Sequence, residues 1–128
     1  MKLRLYSDTL RLRLSQSEVV RLAETGRVEE SITFAPGRVL SYAIESGTTP
    51  QISAAFDGDR VRVLLPASVA KAWIESQRTG VEGVSDTLRV LVEKDYVCLH
   101  RSSPEDVDAF PNPIAAENDR LAATLKIK

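Results

Sequence analysis

Between Leu10 and Gly26 the sequence LRLRLSQSEVVRLAETG changes its period once, at Ser15, and that change limits the folds open to the chain. Leu10, Leu12 and Leu14 recur at every second position, which puts them on one side of a strand and Arg11 and Arg13 on the other. Ser15-Gln16-Ser17-Glu18 then matches a capping box, with Ser15 placed to cap a helix and Glu18 to reach back to the Ser15 amide. Val19, Leu22 and Ala23 share one face of that helix, Glu18, Arg21 and Glu24 lie along another, and Gly26 supplies a permissive stop. A strand with one dry face running straight into an amphipathic helix implies that sheet and helix share a core, so the expected class is α+β.

Upstream, Leu3 to Tyr6 alternates in the same way and Ser7-Asp8 favours a turn, so residues 2–14 read as a β-hairpin. Val28 to Phe34 and Arg38 to Glu45 form a second hairpin across Ala35-Pro36-Gly37, and Ser46 to Gln51 is a short connector broken by Gly47 and Pro50. Beyond it, ISAAFDGDRVRVLLPASVAKAW lays Val61, Val63 and Leu65 over Leu10, Leu12 and Leu14, with Pro66 and Ser68 over Ser15 and Ser17. TGVEGVSDTLRVLVEKDYVCLH then echoes TGRVEESITFAPGRVLSYAIES, so the order ββαββ occurs twice, over about residues 2–46 and about 51–101. One such unit has little apolar surface of its own, whereas two related by a pseudo-twofold axis would bury their hairpin faces and helices together. The expected fold is therefore a β-rich, single α+β domain over residues 1–103, built from two pseudo-symmetric repeats and closed or partly open as a barrel.

Val69, Trp73 and Ile74 read as the core face of the second helix, in preference to a cofactor-stacking role for Trp73. After Arg101 the segment SSPEDVDAFPNP carries three prolines and three acids and cannot continue a sheet. Residues 104–128 are accordingly read as a proline- and acid-rich loop and C-terminal segment, with a short amphipathic helix through Leu121, Ala122 and Leu125 as one expectation.

With 128 residues, 43% hydrophobic and 27% charged, the chain suits one core, and a net charge of −1 gives no overall basic footprint for nucleic acid. Any cationic site must be local. No secretory signal or apolar run long enough for a membrane helix is visible, and the single cysteine, Cys98, excludes an internal disulfide and fits a reducing compartment. The expected location is the cytoplasm, away from membranes.

Three groups of residues are candidates for function. Lys2, Arg4, Arg11, Arg13, Arg60 and Arg62 all face away from the leucine and valine side, and guanidinium forks bind phosphate or carboxylate bidentately. The plainer expectation is a solvated face whose cations pair with Glu29, Glu30 or Asp59. Cys98 and His100 stand two apart, sharing one face of a strand, as a thiolate pair or half of a metal site requires; no second Cys or His exists to complete zinc ligation. Glu105, Asp106 and Asp108 with Asn112 offer hard oxygen ligands but lack the acidic order and central glycine of an EF-hand. No Walker loop, GxGxxG, GxSxG or HExxH occurs, so no metal or cofactor is expected.

The segments LRLRLSQSEV, VEKDYVCLHR and DAFPNP together resemble a family of short bacterial proteins of unknown function over roughly residues 1–113. That resemblance implies a self-contained cytosolic domain and assigns no activity or site residue. VRVLLPASVAKAWIESQRTGVEG through LRVLVEKDYVCL is also similar to one unit of the AbrB-like swapped-hairpin proteins, with Gly80-Val81 in place of their glycine-aspartate turn. In that family two chains interlock into a DNA-binding barrel, which implies both copies on one chain here. The leading functional expectation is a non-enzymatic binding module whose arginine face meets an anionic partner. An AbrB-like nucleic-acid regulator and a small thiol-dependent enzyme at Cys98 and His100 are the alternatives.

Overall fold

The structure, a computed structural model, describes residues 1–96. Along the chain lie β1 (Lys2–Tyr6), β2 (Thr9–Leu14), α1 (Gln16–Thr25), β3 (Arg27–Ala35) and β4 (Arg38–Gly47). After the connector follow β5 (Ser53–Asp57), β6 (Arg60–Pro66), α2 (Ala67–Ile74), β7 (Gly80–Ser85) and β8 (Leu88–Lys94). Among the described residues no helix is long and apolar enough to cross a membrane.

Consecutive strands form hairpins because their turns carry suitable residues. Ser7, Gly58 and Asp86 each open a two-residue turn with positive φ, the backbone hand that matches the twist of paired strands. α1 starts and stops as its residues dictate: the Ser15 hydroxyl accepts from the Glu18 amide, Glu18 accepts from the Ser15 amide at 2.9 Å, and Gly26 caps with φ 79°. The expected faces of α1 are shifted, however. Leu22 is buried and Ala23 exposed, while Glu18, read as part of a solvent face, is only 8% exposed. Burial of that carboxylate follows from a partner remote in sequence, described below. α2 behaves as expected, with Trp73 fully buried and its indole N–H donating to the Thr79 carbonyl at 3.1 Å.

The hairpins assemble into two four-stranded sheets, ordered β1-β2-β8-β7 and β3-β4-β6-β5. Each sheet thus takes one hairpin from each half of the chain, joined through a central parallel pair. Leu10 and Leu12 lie opposite Val90 and Val92 across β2 and β8, and Tyr42 and Ile44 lie opposite Val61 and Val63 across β4 and β6. Those residues, with Leu14, Leu22, Val28, Leu65, Val81 and Trp73, form one apolar cluster to which both sheets and both helices contribute.

The architecture is β-rich α+β as expected, but it is not a closed barrel. Closure would require β1 to ladder with β3 and β5 with β7; among the described residues neither pair ladders, and isolated contacts bridge each seam instead. At one, Ser85 accepts from the Ala54 amide at 3.3 Å and Ile52 packs on Gly83; at the other, the Met1 ammonium meets Glu30 at 3.5 Å.

Gly83 belongs to the first seam. A Cβ there would stand 2.9 Å from the Ile52 Cβ, closer than packed carbons approach. Gly83→Ala is expected to cost roughly 1–3 kcal/mol in denaturant unfolding, and clearly less when introduced into Ile52→Ala. An equal cost in both backgrounds would show that this contact does not set the seam.

Candidate functional site

The outward face of the first sheet is set by register. Because Leu10, Leu12 and Leu14 point into the core, Arg11 and Arg13 point out, and antiparallel pairing places Arg4 opposite Arg11 and Lys2 opposite Arg13. Across β8, Arg13 faces Glu93 and Arg11 faces Leu91. Glu93 lies 3.5 Å from Arg11 and 3.4 Å from Arg13, and Asp95 lies 2.9 Å from Lys2. Arg4, Arg11 and Arg13 each make a further interaction, so none stands free. The arrangement sets four cations on one hairpin, cation opposite cation across the ladder. Like charges directly opposite one another in a sheet repel, and a shared anion relieves that repulsion.

Arg60 and Arg62 lie on β6, in the second sheet, where the register has the opposite character. Arg60 is paired with Asp57 on β5 and Arg27 with Glu45 across β3 and β4. Ion pairs follow: Arg60 to Glu29 at 3.3 Å, Arg62 to Glu45 at 3.5 Å and to Asp57 at 3.4 Å, and Arg27 to Glu29 and Glu45 at 3.0 and 3.1 Å. Glu29 therefore takes the expected structural role, whereas Glu30 faces Met1. Glu45 and Asp57 complete the network, and sign alternation between facing strands is the signal for them. The six cations read from sequence are thus divided between two sheets of contrasting electrostatics.

A polar cluster not foreseen from the sequence lies where β1, α1, β3 and β4 meet. The Met1 ammonium, fully buried, pairs with Glu18 and reaches Glu30, while the Tyr42 hydroxyl donates to the Met1 carbonyl at 2.9 Å. Burial pushes the Glu18 carboxyl up, but hydrogen bonds from the ammonium and from Ser15, with the ammonium's charge, outweigh it and hold the group below its ordinary value. Burial, then the negative charges of Glu30 and Glu18, push the Tyr42 hydroxyl up. The cluster ties the helix start to both sheets.

Cys98, His100, the Glu105, Asp106, Asp108 and Asn112 group, DAFPNP and the C-terminal segment lie outside the described residues. Among the described residues no three His, Cys, Asp or Glu side chains are grouped to hold a metal ion. A depression lined by Phe34, Ala35, Arg38, Val39, Leu40 and Asp59 contains none of the candidate site residues.

A family model described as a family of unknown function (DUF7009) matches residues 1–114. No curated protein and no solved structure matches the chain.

The Glu18 cluster has a pH signature. A carboxyl held below its unfolded value adds stability above that unfolded value and loses it as pH falls through the folded one. Glu18→Gln keeps a capping acceptor but removes the charge, so it is expected to cost about 1–2 kcal/mol at pH 7 by urea unfolding. The gap to the unsubstituted protein should close as pH falls below the ordinary glutamate range; a gap independent of pH would contradict the assignment.

Proposed function

The chain belongs to that family of unknown function, which assigns it no activity, and we propose that it is a non-enzymatic cytoplasmic binding module. Its contact surface is the outward face of the β1–β2 hairpin, where Lys2, Arg4, Arg11 and Arg13 bind an anionic partner. One observation carries this reading: on that hairpin the register sets cation against cation, whereas on the second sheet it sets cation against carboxylate. The second sheet's arginines complete a structural network; those of the first, paired with Glu93, stand directly beside the two cations of β1. Guanidinium forks supply charge-assisted hydrogen bonds and the lysine a mobile point charge.

We also read the two halves as related by a pseudo-twofold axis. Exchange of β1 and β2 for β5 and β6, and of β3 and β4 for β7 and β8, converts one sheet order into the other, and the two parallel pairs correspond. This exchange of hairpins supports a second reading, an AbrB-like nucleic-acid regulator using the same cationic face.

Fluorescence anisotropy with labelled poly-glutamate and with labelled duplex DNA of matched charge tests both. Binding is expected to weaken steeply with salt, and Arg4→Ala with Arg13→Ala to weaken it at least about tenfold. Arg60→Ala with Arg62→Ala should change it less than about twofold. Salt-insensitive binding, or equal losses in the two pairs, would overturn the reading. Clear preference for the duplex would favour the regulator instead.

A further inference from the structure

The first sheet offers an edge as well as a face. Among the described residues β1 is an outer strand, and its sequence Lys2-Leu3-Arg4-Leu5-Tyr6 alternates cation with leucine. A two-residue turn makes Tyr6 and Thr9 the hydrogen-bonded pair that closes the hairpin, so the narrow pairs continue at Arg4 with Arg11 and Lys2 with Arg13. The amides and carbonyls of Leu3 and Leu5 consequently point along the sheet toward the outer edge. Leu5 and Tyr6, 64% and 72% exposed, flank that edge with apolar surface.

We propose that the anionic partner is an extended peptide, alternating acidic and apolar residues, that adds to β1 as a further strand of the first sheet. The inference rests on the cationic-face reading above. Cross-strand neighbours stand about 5 Å apart at Cβ, so acids opposite Lys2 and Arg4 meet their charges on the outward face. Apolar residues between them fall on the opposite face, opposite Leu3 and Leu5. Main-chain hydrogen bonds give such a complex its affinity, and the alternation gives its specificity.

Charge selects this occupant over a second copy. Pairing β1 with itself would set Lys2 and Arg4 against the same two cations, adding like-charge repulsion to what β2 already imposes. The other outer strands differ: β3 mixes Arg27 with Glu29 and Glu30, β5 carries Asp57 and β7 carries Glu82. Among the described outer strands β1 alone carries only positive charge. One-signed charge deters self-association of an edge and admits a strand of opposite sign.

The test uses the full chain and three labelled peptides of one composition: alternating aspartate and valine, the same residues in two blocks, and the alternating peptide N-methylated at every second amide. The alternating peptide is expected to bind at least about tenfold tighter than the block peptide, and N-methylation to remove that advantage with charge unchanged. Arg4→Ala should by itself reduce the advantage of the alternating peptide. Equal binding of all three, with poly-glutamate still bound, would overturn strand addition and leave the cationic face standing. Absence of binding by all three and by poly-glutamate would overturn both, and a stable dimer paired through β1 would overturn the choice of occupant.

Discussion

Two parallel strand pairs, β2 with β8 and β4 with β6, hold the two halves of this chain to one another. Parallel neighbours cannot be joined by a tight turn, so the chain must leave each sheet and return to it later. The helices supply that passage: α1 carries the chain from β2 in the first sheet to β3 in the second, and α2 carries it back from β6 to β7. Neither half therefore owns a complete sheet. Leu12 reaches full burial beside Val92, Ile44 beside Val63, and Trp73 within the cluster they share. Pairings this remote in sequence carry a loop-closure cost that only the completed core offsets.

That division explains what was legible beforehand. Alternation in Leu10 to Leu14 and in Val61 to Leu65, the capping box at Ser15 and the turn residues are local signals, and each marked its element. Choice of sheet partner is not local. Hairpins follow from turns, but which hairpins share a sheet depends on where two helices deliver the chain, and the closed barrel, one of the two expected forms, gives way to two sheets. Glu18 illustrates the same limit at one residue. Its capping role was readable three positions away, whereas its burial depends on an ammonium seventeen positions upstream. Glu45, which pairs with Arg62, comes from a strand whose proximity no local pattern reveals, whereas Asp57 follows from the β5–β6 turn.

The arginine stripes show how similar sequence produces different chemistry. Arg11 on β2 and Arg62 on β6 occupy matching places in strands that run into helices, with Arg13 and Arg60 extending the two stripes in opposite directions. What separates them is the strand alongside. β5 and β3 bring Asp57, Glu29 and, through β4, Glu45 to the second pair, while β1 brings Lys2 and Arg4 to the first and β8 a single carboxylate, Glu93, that Arg11 and Arg13 share. A balanced network of charges rigidifies a surface, whereas an excess of one sign raises the local potential. The facing of cation with cation on the first sheet is thus a property of one hairpin, β1 with β2, rather than of the stripe alone.

The exchange of hairpins is tested most directly by cutting the chain in its connector, between Gly47 and Pro50, and preparing the two parts separately. Circular dichroism and Trp73 emission should show neither part unfolding cooperatively alone, with the indole exposed to solvent. Mixing should restore a buried indole and one cooperative transition. A part that folds cooperatively by itself, with Trp73 already buried, would contradict the account.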